Sequence, residues 1–328
     1  MIAQPSVLVQ LLHLVDRLPM PKEPARRRGR PVVYPERLFL KALVVMLLRR
    51  LPTVHLLYTV VSEPTAEMAQ VRAALSQQGA FPSRRTFERR LGTLPGSLPA
   101  QIGLLGRLLI ERVQPWREID HVPAVVADST LLRAPGGVWH VKQQAAHQLP
   151  VVTLDVEADW GKSGWHGWIW GWKLHLIAVV AGVWIPLAAQ LTKANAHDGT
   201  AVLPLLRELP PAIRVLLGDR AFATDNLRAA SAEADWELIT PQPGPYPHTD
   251  PQVETRRAWH RRRSTTIEPL NQLLKGLFDL HAGVPTRGHL PTQRFILGAV
   301  FVYQLALLYR FDHGLPLQRG LKSFLRAA

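Results

Sequence analysis

The sequence predicts an α/β domain that follows a smaller, all-helical domain. Two observations support this division. The first third of the 328-residue chain carries helical hydrophobic periodicity without strand-like runs. After residue 119, short runs rich in Val, Ile and Trp begin, and helical patterns separate the later ones. Strands that alternate with helices along a chain are typical of an α/β sheet.

The predicted helical domain spans residues 1–118. Residues 4–17 have an amphipathic pattern, and Pro35 stands at a suitable first position for a second, strongly apolar helix. Between these helices, "PKEPARRRGRP" at residues 21–31 is rich in Pro and Arg and lacks apolar periodicity. Such a composition predicts a basic linker.

A short basic helix is predicted near the end of this domain. In "FPSRRTFERRLGTL", Ser83 is a good N-cap, and four arginines follow it: Arg84, Arg85, Arg89 and Arg90. Basic residues in the first turn of a helix oppose its dipole, and a bound phosphate would remove that penalty. The segment is therefore a candidate DNA-recognition helix of a helix-turn-helix-like unit, with a solvated charged face as the alternative.

The composition favours a polyanionic partner. The formal net charge is +14, an excess that points to nucleic acid before membrane. The absence of cysteine excludes disulfides and thiolate zinc sites. The N-terminus lacks the features of a secretory signal, and the apolar stretch near residues 294–311 contains Gln304, which favours a buried core helix over a membrane span. We therefore expect no membrane partner.

Residues 119–328 form the predicted second domain, which includes the C-terminal helices. Its strand-like runs are, in chain order, "VPAVVADSTLL", "WGWKLHLIAVV", "GVWIPLAAQLT", "AIRVLLGDRAF" and "WELITPQP". The helical patterns "DGTAVLPLLREL" and "TDNLRAASAEA" separate the last three. Three successive strands, followed by helix, strand, helix and strand, predict a sheet with an antiparallel start and a parallel finish. This is the order of a ribonuclease H-like fold.

Three acidic residues stand where they can act together. Asp128 and Asp219 each end an apolar run, and Glu268 lies in the helical stretch "RRRSTTIEPLNQLLKGLF". If the first and fourth strands are neighbours, the two aspartates meet at one edge of the sheet, and a helix crossing that edge adds the glutamate. Hard oxygen ligands of this kind bind Mg²⁺ or Mn²⁺, and two such ions promote in-line displacement at phosphorus. Taken singly, each aspartate has the alternative of a turn residue or helix cap, and the glutamate that of a solvated side chain.

Three smaller features carry open alternatives. Asp198, in "ANAHDG", is interpreted as a helix cap, with a metal role as the alternative. Asp155, Glu157 and Asp159 predict a solvated loop, with a second metal site as the alternative. The Trp-rich segment at residues 160–172 predicts a packed hairpin beside the second strand, with stacking on unpaired bases as the alternative.

Five stretches in fixed order resemble the DDE transposases of bacterial insertion sequences, in the insertion-sequence 4/5-like group. They are "VVADSTLLRA", "WGWKLHLIAVVAGVWIPLAAQLTKANAHDG", "LLGDRAFATDN", "ELITPQP" and "RRRSTTIEPLNQLLKGLFDL", and they span roughly residues 120–285. The resemblance implies a ribonuclease H-like catalytic domain. It also implies that the three acids of the family fall on Asp128, Asp219 and Glu268. These would be ligands of two Mg²⁺ ions, for which Mn²⁺ substitutes.

The resemblance also implies phosphate contacts near the acids. The family's downstream lysine falls on Lys275. The arginine that the family often has four residues before the glutamate falls on Ser264, so we expect Arg263 to substitute for it. Apart from the resemblance, the basic run "ETRRAWHRRR", which includes Arg261 and Arg262, predicts further DNA contacts, with a plain solvated face as the alternative. If the helix that carries the glutamate begins near Ser264 or Thr265, these arginines lie at its entry.

The predicted function is that of an insertion-sequence transposase in the bacterial cytoplasm, associated with the nucleoid. Its DNA partners are the transposon inverted repeats and the target DNA. Water cuts phosphodiesters at the transposon ends, and the freed 3′-OH is then joined to target DNA by two-metal-ion catalysis. Because two ends must be brought together, a homodimer is expected in the end-bound complex. The alternatives are a metal-dependent nuclease of the same fold without strand transfer and a DNA-binding repressor with a relic catalytic domain.

Overall fold

The computed structural model describes residues 5–21, 33–117, 122–164, 167–241 and 253–328. The predicted basic linker, apart from residue 21, and the predicted domain boundary after residue 118 lie outside these ranges. The described residues form two compact units. One contains the described residues up to Leu105 together with Gln293–Ala328, and the other contains those of Gly106–Thr292.

The first unit is all-helical. Its helices are, in chain order, α1 (Val7–Arg17), α2 (Glu36–Leu48), α3 (Val54–Val61), α4 (Ala66–Ala74), α5 (Arg84–Thr93), the start of α6 (Leu98–Val113), most of α11 (His289–Asp312) and α12 (Leu321–Ala327). The amphipathic pattern at residues 4–17 is confirmed as α1, and Pro35 is the N-cap of α2. The side chains of Thr53, Thr65 and Ser83 cap α3, α4 and α5 by accepting backbone N–H groups.

The C-terminal helices belong to the first unit, whereas the sequence predicts them in the domain at residues 119–328. A Cβ added at Gly298 of α11 would lie 2.9 Å from the side chains of Leu43 and Leu47, so α11 packs closely against α2. The amide of Gln304 donates to the carbonyl oxygen of Ile102 at 2.9 Å. These partners stand far away in the chain, and local patterns therefore do not reveal them. Which functions the two parts carry stays a prediction.

Helix α11 is buried. By length and composition it is the one helix among the described residues that is apolar enough to cross a membrane, and 83% of its most apolar window is buried inside the structure. Gln304 near its middle is fully buried. The buried core helix that the sequence predicts is therefore observed.

The second unit contains a six-stranded sheet. Its strands are β1 (Ala124–Arg133), β2 (Asp159–Ser163), β3 (Gly167–Val179), β4 (Pro186–Lys193), β5 (Val215–Leu217) and β6 (Glu237–Ile239). The sheet runs in the order β2–β3–β1–β5–β6, and β4 also pairs with β3. The pairs β1–β3, β2–β3 and β3–β4 are antiparallel, whereas β1–β5 and β5–β6 are parallel. The predicted antiparallel start and parallel finish are confirmed.

The Trp-rich segment forms a hairpin, as predicted, and adds a strand that the predicted order did not contain. Strand β2 pairs with the first part of β3, with Trp160 opposite Trp170. Trp170 is buried, and its indole N–H donates to the carbonyl oxygen of Asp155 at 3.0 Å. Trp168 is 63% exposed. Trp165 lies outside the described residues.

The acidic stretch before β2 is built into the structure. Asp155 is buried, and its carboxylate accepts from the backbone N–H of Gly288 at 3.0 Å and from the indole N–H of Trp172 at 3.2 Å. Glu157 accepts from the backbone N–H of His289 at 2.7 Å. The prediction of a solvated loop is therefore wrong for Asp155, because carboxylates here bind donors at the N-terminal end of α11.

The remaining helices of the second unit are the end of α6, α7 (Val141–Ala145), α8 (Asp198–Ala201), α9 (Asp225–Glu233), α10 (Val253–Leu277) and the start of α11. Helix α10 carries Glu268 and confirms the predicted helix there. The helix begins at Val253, so the arginines before Glu268 lie within it and not at its entry. The basic run is thus helical itself, because Arg and Ala are strong helix formers and no breaker interrupts them.

Candidate active site

The register of the parallel strands β1 and β5 brings two of the predicted acids to one place. Strand β5 ends beside the first part of β1, with Val126 opposite Leu217. Asp128 and Asp219 each come two residues later along parallel chains, so both lie at this edge. The predicted neighbourhood of the first and fourth strand-like runs is confirmed.

Asp219 lies in a tight turn. Its side chain caps the 3-10 turn Arg220–Phe222 by accepting the backbone N–H of Ala221 at 2.8 Å. The preceding Gly218 has no room for a side chain, because an added Cβ would lie 2.6 Å from the Cβ of Phe222. The cap occupies Oδ1 of Asp219 and thereby holds this carboxylate at the end of β5.

Arg263 connects the first and third acids. Its guanidinium lies 3.9 Å from Oδ1 of Asp128 and 3.7 Å from Oε1 of Glu268. The side chains of Arg263 and Asp128 are mostly buried, whereas that of Glu268 is 59% exposed. A buried cation between two carboxylates compensates charges that would otherwise be costly to remove from water.

Burial dominates the electrostatics of Asp128. Burial, with contributions from the carboxylates of Asp219 and Asp198, raises the pKa of Asp128 to about 7, and Arg263 opposes this shift. Burial also lowers the pKa of Lys275, and the Asp128 carboxylate opposes that change. Burial therefore disfavours the charged form of Asp128, and a bound cation would favour it.

This pKa predicts an unusual pH dependence of stability. From its ordinary value of 3.8 up to about 7, the folded protein retains a proton on Asp128 that the unfolded chain releases. The free energy of unfolding should therefore fall as pH rises through this window, by on the order of 4 kcal/mol in full. Asp128→Asn should remove this decrease. Urea denaturation at mildly acidic and mildly alkaline pH, without divalent cations, measures it.

The matched control is Asp225→Asn, which removes an exposed carboxylate of α9 that pairs with Arg228. It should keep the pH dependence of the unmodified protein. An Asp128→Asn variant that still lost stability between the two pH values to the same extent would contradict the assignment.

The other basic residues of α10 have different surroundings. Arg261 is exposed, and the guanidinium of Arg262 lies 5.0 Å from the ring centre of Trp259. The hydroxyl of Ser264, at the position of the family's arginine, donates to the carbonyl oxygen of His260 at 3.3 Å. The contact with the acids is thus made by Arg263, one helical position earlier.

The three acids differ from a preformed metal cluster. Among the described residues, no three His, Asp or Glu side chains lie close enough together to hold a metal ion. Asp128 and Glu268 instead flank a guanidinium, and Asp219 lies at the same sheet edge. Their carboxylate oxygens are the donors that Mg²⁺ and Mn²⁺ prefer, and a cation already balances two of them. The residues therefore fit a divalent cation in the chemistry of their donor atoms.

A family model described as a transposase DDE domain matches residues 123–295, which is more than half of the chain and includes all three acids. This chain belongs to the family of DDE transposases. The predicted family and the predicted α/β class with preceding helices are confirmed. The insertion-sequence 4/5 subgroup and the roles of individual residues stay predictions.

Solved transposase structures are similar to this transposase at low identity. A piggyBac transposase synaptic complex with hairpin DNA is 10% identical, with a TM-score of 0.39, and the match covers 96% of this chain and 74% of that chain. A pre-cleavage Mos1 transpososome is 10% identical, with a TM-score of 0.23 and coverages of 86% and 80%. A Mos1 paired-end complex with the left transposon end is 13% identical, with a TM-score of 0.23 and coverages of 88% and 80%. No curated protein matches the chain.

A second polar cluster of the transposase lies on the other face of the sheet. Lys173 and His175 are in register with Leu131 and Ser129, and they therefore point away from the face that carries Asp128. The amino group of Lys173 lies 3.1 Å from Asp198, which is the first residue of α8.

Asp198 is therefore an ion-pair partner, and the prediction of a helix cap is wrong because His197 holds the N-cap position. Burial lowers the pKa of His175 to about 4, so Lys173 is the cation that neutralises Asp198. The Nδ1 of His175 lies 3.5 Å from Asp198, and its Nε2 shares a hydrogen bond of 2.9 Å with the hydroxyl of Thr192. The sequence signal for this cluster was the alternation of Lys and His in the strand.

The predicted recognition helix is observed as α5. The Ser83 hydroxyl accepts from the backbone N–H of Thr86 at 3.3 Å, and Phe87 and Leu91 bury the opposite face. Its four arginines have three kinds of surroundings. Arg84 pairs with Glu88 at 2.8 Å, Arg85 and Arg89 are exposed, and Arg90 lies 5.0 Å from the ring centre of Phe39. The exposed pair is the part of the helix that presents free charge to solvent.

Proposed function

We propose that this transposase belongs to the insertion-sequence 4/5-like group, cuts phosphodiesters at transposon ends and joins the freed 3′-OH to target DNA. The observation that carries the proposal is the arrangement at the β1–β5 edge. Asp128 and Asp219 stand together there, and Arg263 links Asp128 to Glu268. Three carboxylates and a guanidinium at one sheet edge suit a reaction at a phosphate.

In this reaction, water first attacks the phosphodiester and releases a 3′-OH, which then attacks a phosphodiester of the target DNA. Both steps exchange one P–O bond for another, so no covalent enzyme intermediate is required. Two Mg²⁺ ions, or Mn²⁺ in their place, held by Asp128, Asp219 and Glu268, would supply charge neutralisation and activation of the attacking oxygen. The Asp219 cap and the buried position of Asp128 keep these carboxylates in place before DNA arrives.

The cationic side chains at the site act on the phosphate itself. Arg263 can hold a phosphate oxygen in a bidentate manner and set the scissile bond in line for attack. Lys275 lies about two turns beyond Glu268 on the same helix. The carboxylate of Asp128 favours the charged form of Lys275. Arg261 and Arg262 continue the basic surface along α10 and would follow the DNA backbone.

We further propose that α5 and the positive net charge bring the protein to DNA, namely to its inverted repeats and to the target. The similar solved structures are described as a synaptic complex with DNA and as a paired-end complex with a transposon end. Since two ends must meet, the end-bound form is a homodimer. A reaction on chromosomal DNA places the protein at the bacterial nucleoid, in the cytoplasm.

The test combines the full-length protein, the inverted repeats that flank its gene, Mg²⁺ and a target plasmid, followed by sequencing of the products. Insertions joined at the 3′ ends of the repeats support the proposal. Cleavage without joining, even of pre-cut ends, would show a nuclease instead. End binding without any metal-dependent nicking would show a repressor with a relic catalytic domain.

The exposed arginines of α5 give a prediction about end recognition. Replacing Arg85 and Arg89 together by Glu should weaken binding to the transposon ends by about a hundredfold, since each substitution replaces a cation that attracts phosphate with an anion that repels it. The affinity of the unmodified protein should fall roughly a thousandfold between low and physiological salt, and the variant should show a smaller salt dependence. Fluorescence anisotropy with labelled end DNA measures both.

Arg228→Glu serves as the control for this experiment, because it makes the same kind of charge change on the exposed surface of α9. It should alter end affinity only slightly. Equal losses for both variants, with specific and unrelated DNA alike, would show that α5 provides general charge and no end recognition.

A further inference from the structure

Asn271 is a buried polar residue beside the acids that the reaction described above does not use. It lies on α10, three residues after Glu268, and is 6% exposed. Its Nδ2 donates to Oδ2 of Asp128 at 2.9 Å. The amide nitrogen of Asn271 is the donor, and it therefore faces this oxygen. A buried amide is costly unless it is hydrogen-bonded, and this bond is the one that the structure gives it.

The two oxygens of Asp128 therefore have different surroundings. Oδ2 is bound by the neutral amide of Asn271, whereas Oδ1 faces the guanidinium of Arg263 on the side of Glu268. An amide orients a carboxylate without neutralising it, because it brings no charge. The amide therefore adds no charge to Asp128, and Oδ1 is the oxygen directed toward Arg263 and the other acid.

The helix that carries Asn271 also carries Glu268. Residues three apart on a helix lie on adjoining positions of one face. Ile267, Leu270 and Leu274 are buried and anchor this part of α10. A hydrogen bond from Asn271 to β1 therefore fixes the place of Asp128 relative to the helix that presents Glu268.

We infer that Asn271 is a positioning residue that holds Oδ2 of Asp128 and so presents Oδ1 to the divalent cation. The inference rests on the proposed function, because it assumes that the acids bind such a cation. Partners that orient a ligand in this way change metal affinity by about tenfold to a hundredfold when they are removed. Asn271 would thus act on the reaction through Asp128, without touching DNA.

The test is the affinity of the full-length protein for Mn²⁺ without DNA, measured by isothermal titration calorimetry and by the electron paramagnetic resonance of free Mn²⁺. Asn271→Leu keeps the size of the side chain and removes the donor. It should weaken Mn²⁺ binding by about tenfold or more. Thr266→Val is the matched control, since it replaces another buried polar side chain of α10 and should leave the affinity unchanged.

Thermal unfolding separates positioning from loss of structure, because both variants are compared at a temperature where they are fully folded. If Asn271→Leu does not fold, Asn271→Ser takes its place, with a polar side chain too short to reach Asp128. Unchanged Mn²⁺ affinity in a folded Asn271 variant would overturn the inference while leaving the proposed function intact. The Asp128→Asn variant, which lacks a proposed metal ligand, sets the affinity expected without the metal site. If the wild-type protein binds Mn²⁺ no better than this variant, the metal site is overturned, and the role of Asn271 with it.

Discussion

Asp128→Asn is expected to lower the rate of strand cleavage at the transposon ends by about a thousandfold or more, with end binding largely retained. The substitution removes a charged oxygen ligand at nearly constant shape. Asp128 is buried between Arg263 and Asn271, so no other carboxylate can take its place without rearrangement of β1 and α10. Single-turnover cleavage of labelled end DNA, with binding measured separately, checks the result.

Asp219→Asn and Glu268→Gln should reduce cleavage to a similar extent, because groups that act as a unit lose most of their effect when one is removed. Asp225→Asn is the matched control. It changes an exposed carboxylate of α9 a few residues after Asp219, and the variant should cleave normally. Near-normal cleavage by any one of the three variants would reject the assignment of that residue alone. Since Glu268 is more exposed than Asp128, its variant should also fold with little change in stability.

Arg263→Ala is expected to lower the single-turnover cleavage rate at saturating DNA by about a hundredfold, with a much smaller effect on affinity for the ends. Arg263 lies within salt-bridge distance of both Asp128 and Glu268, and a guanidinium in that place can align the scissile phosphate. The loss should therefore appear in the chemical step. Rates measured at several DNA concentrations above saturation check this.

Arg261→Ala is the control for this prediction, because Arg261 is exposed on the same helix. It should weaken DNA binding slightly, and saturating DNA should restore its rate. If alanine variants of Arg261, Arg262 and Arg263 all lost only a little affinity and regained their rate at saturating DNA, the three residues would be interchangeable contacts to the DNA backbone. Arg263→Lys adds a second comparison, since it keeps the charge but cannot bind a phosphate in a bidentate manner.

Local patterns predicted those parts of the protein that depend on neighbouring residues. The cap at Ser83 and the apolar positions of α5 both lie within one helix, so propensity and periodicity were sufficient. The order of strands and helices along the chain predicted an antiparallel start and a parallel finish of the sheet, which the strand pairs confirm. The two aspartates were expected to meet if the first and fourth strands were neighbours, as β1 and β5 are. The family resemblance then assigned roles to the three acids, and those roles await the mutations described above.

The sequence by itself determined the family, the order of most strands and helices along the chain, and the candidate acids, because each of these depends on residue types and their spacing. The tertiary structure decided which side chains surround the acids. Asn271 binds Asp128 across 143 positions of the chain, and Lys173 pairs with Asp198 on the opposite face. The C-terminal helices pack with the N-terminal unit for the same reason. Buried polar groups and apolar surfaces contact residues that are far away in the chain, and local sequence periodicity does not predict which residues these are.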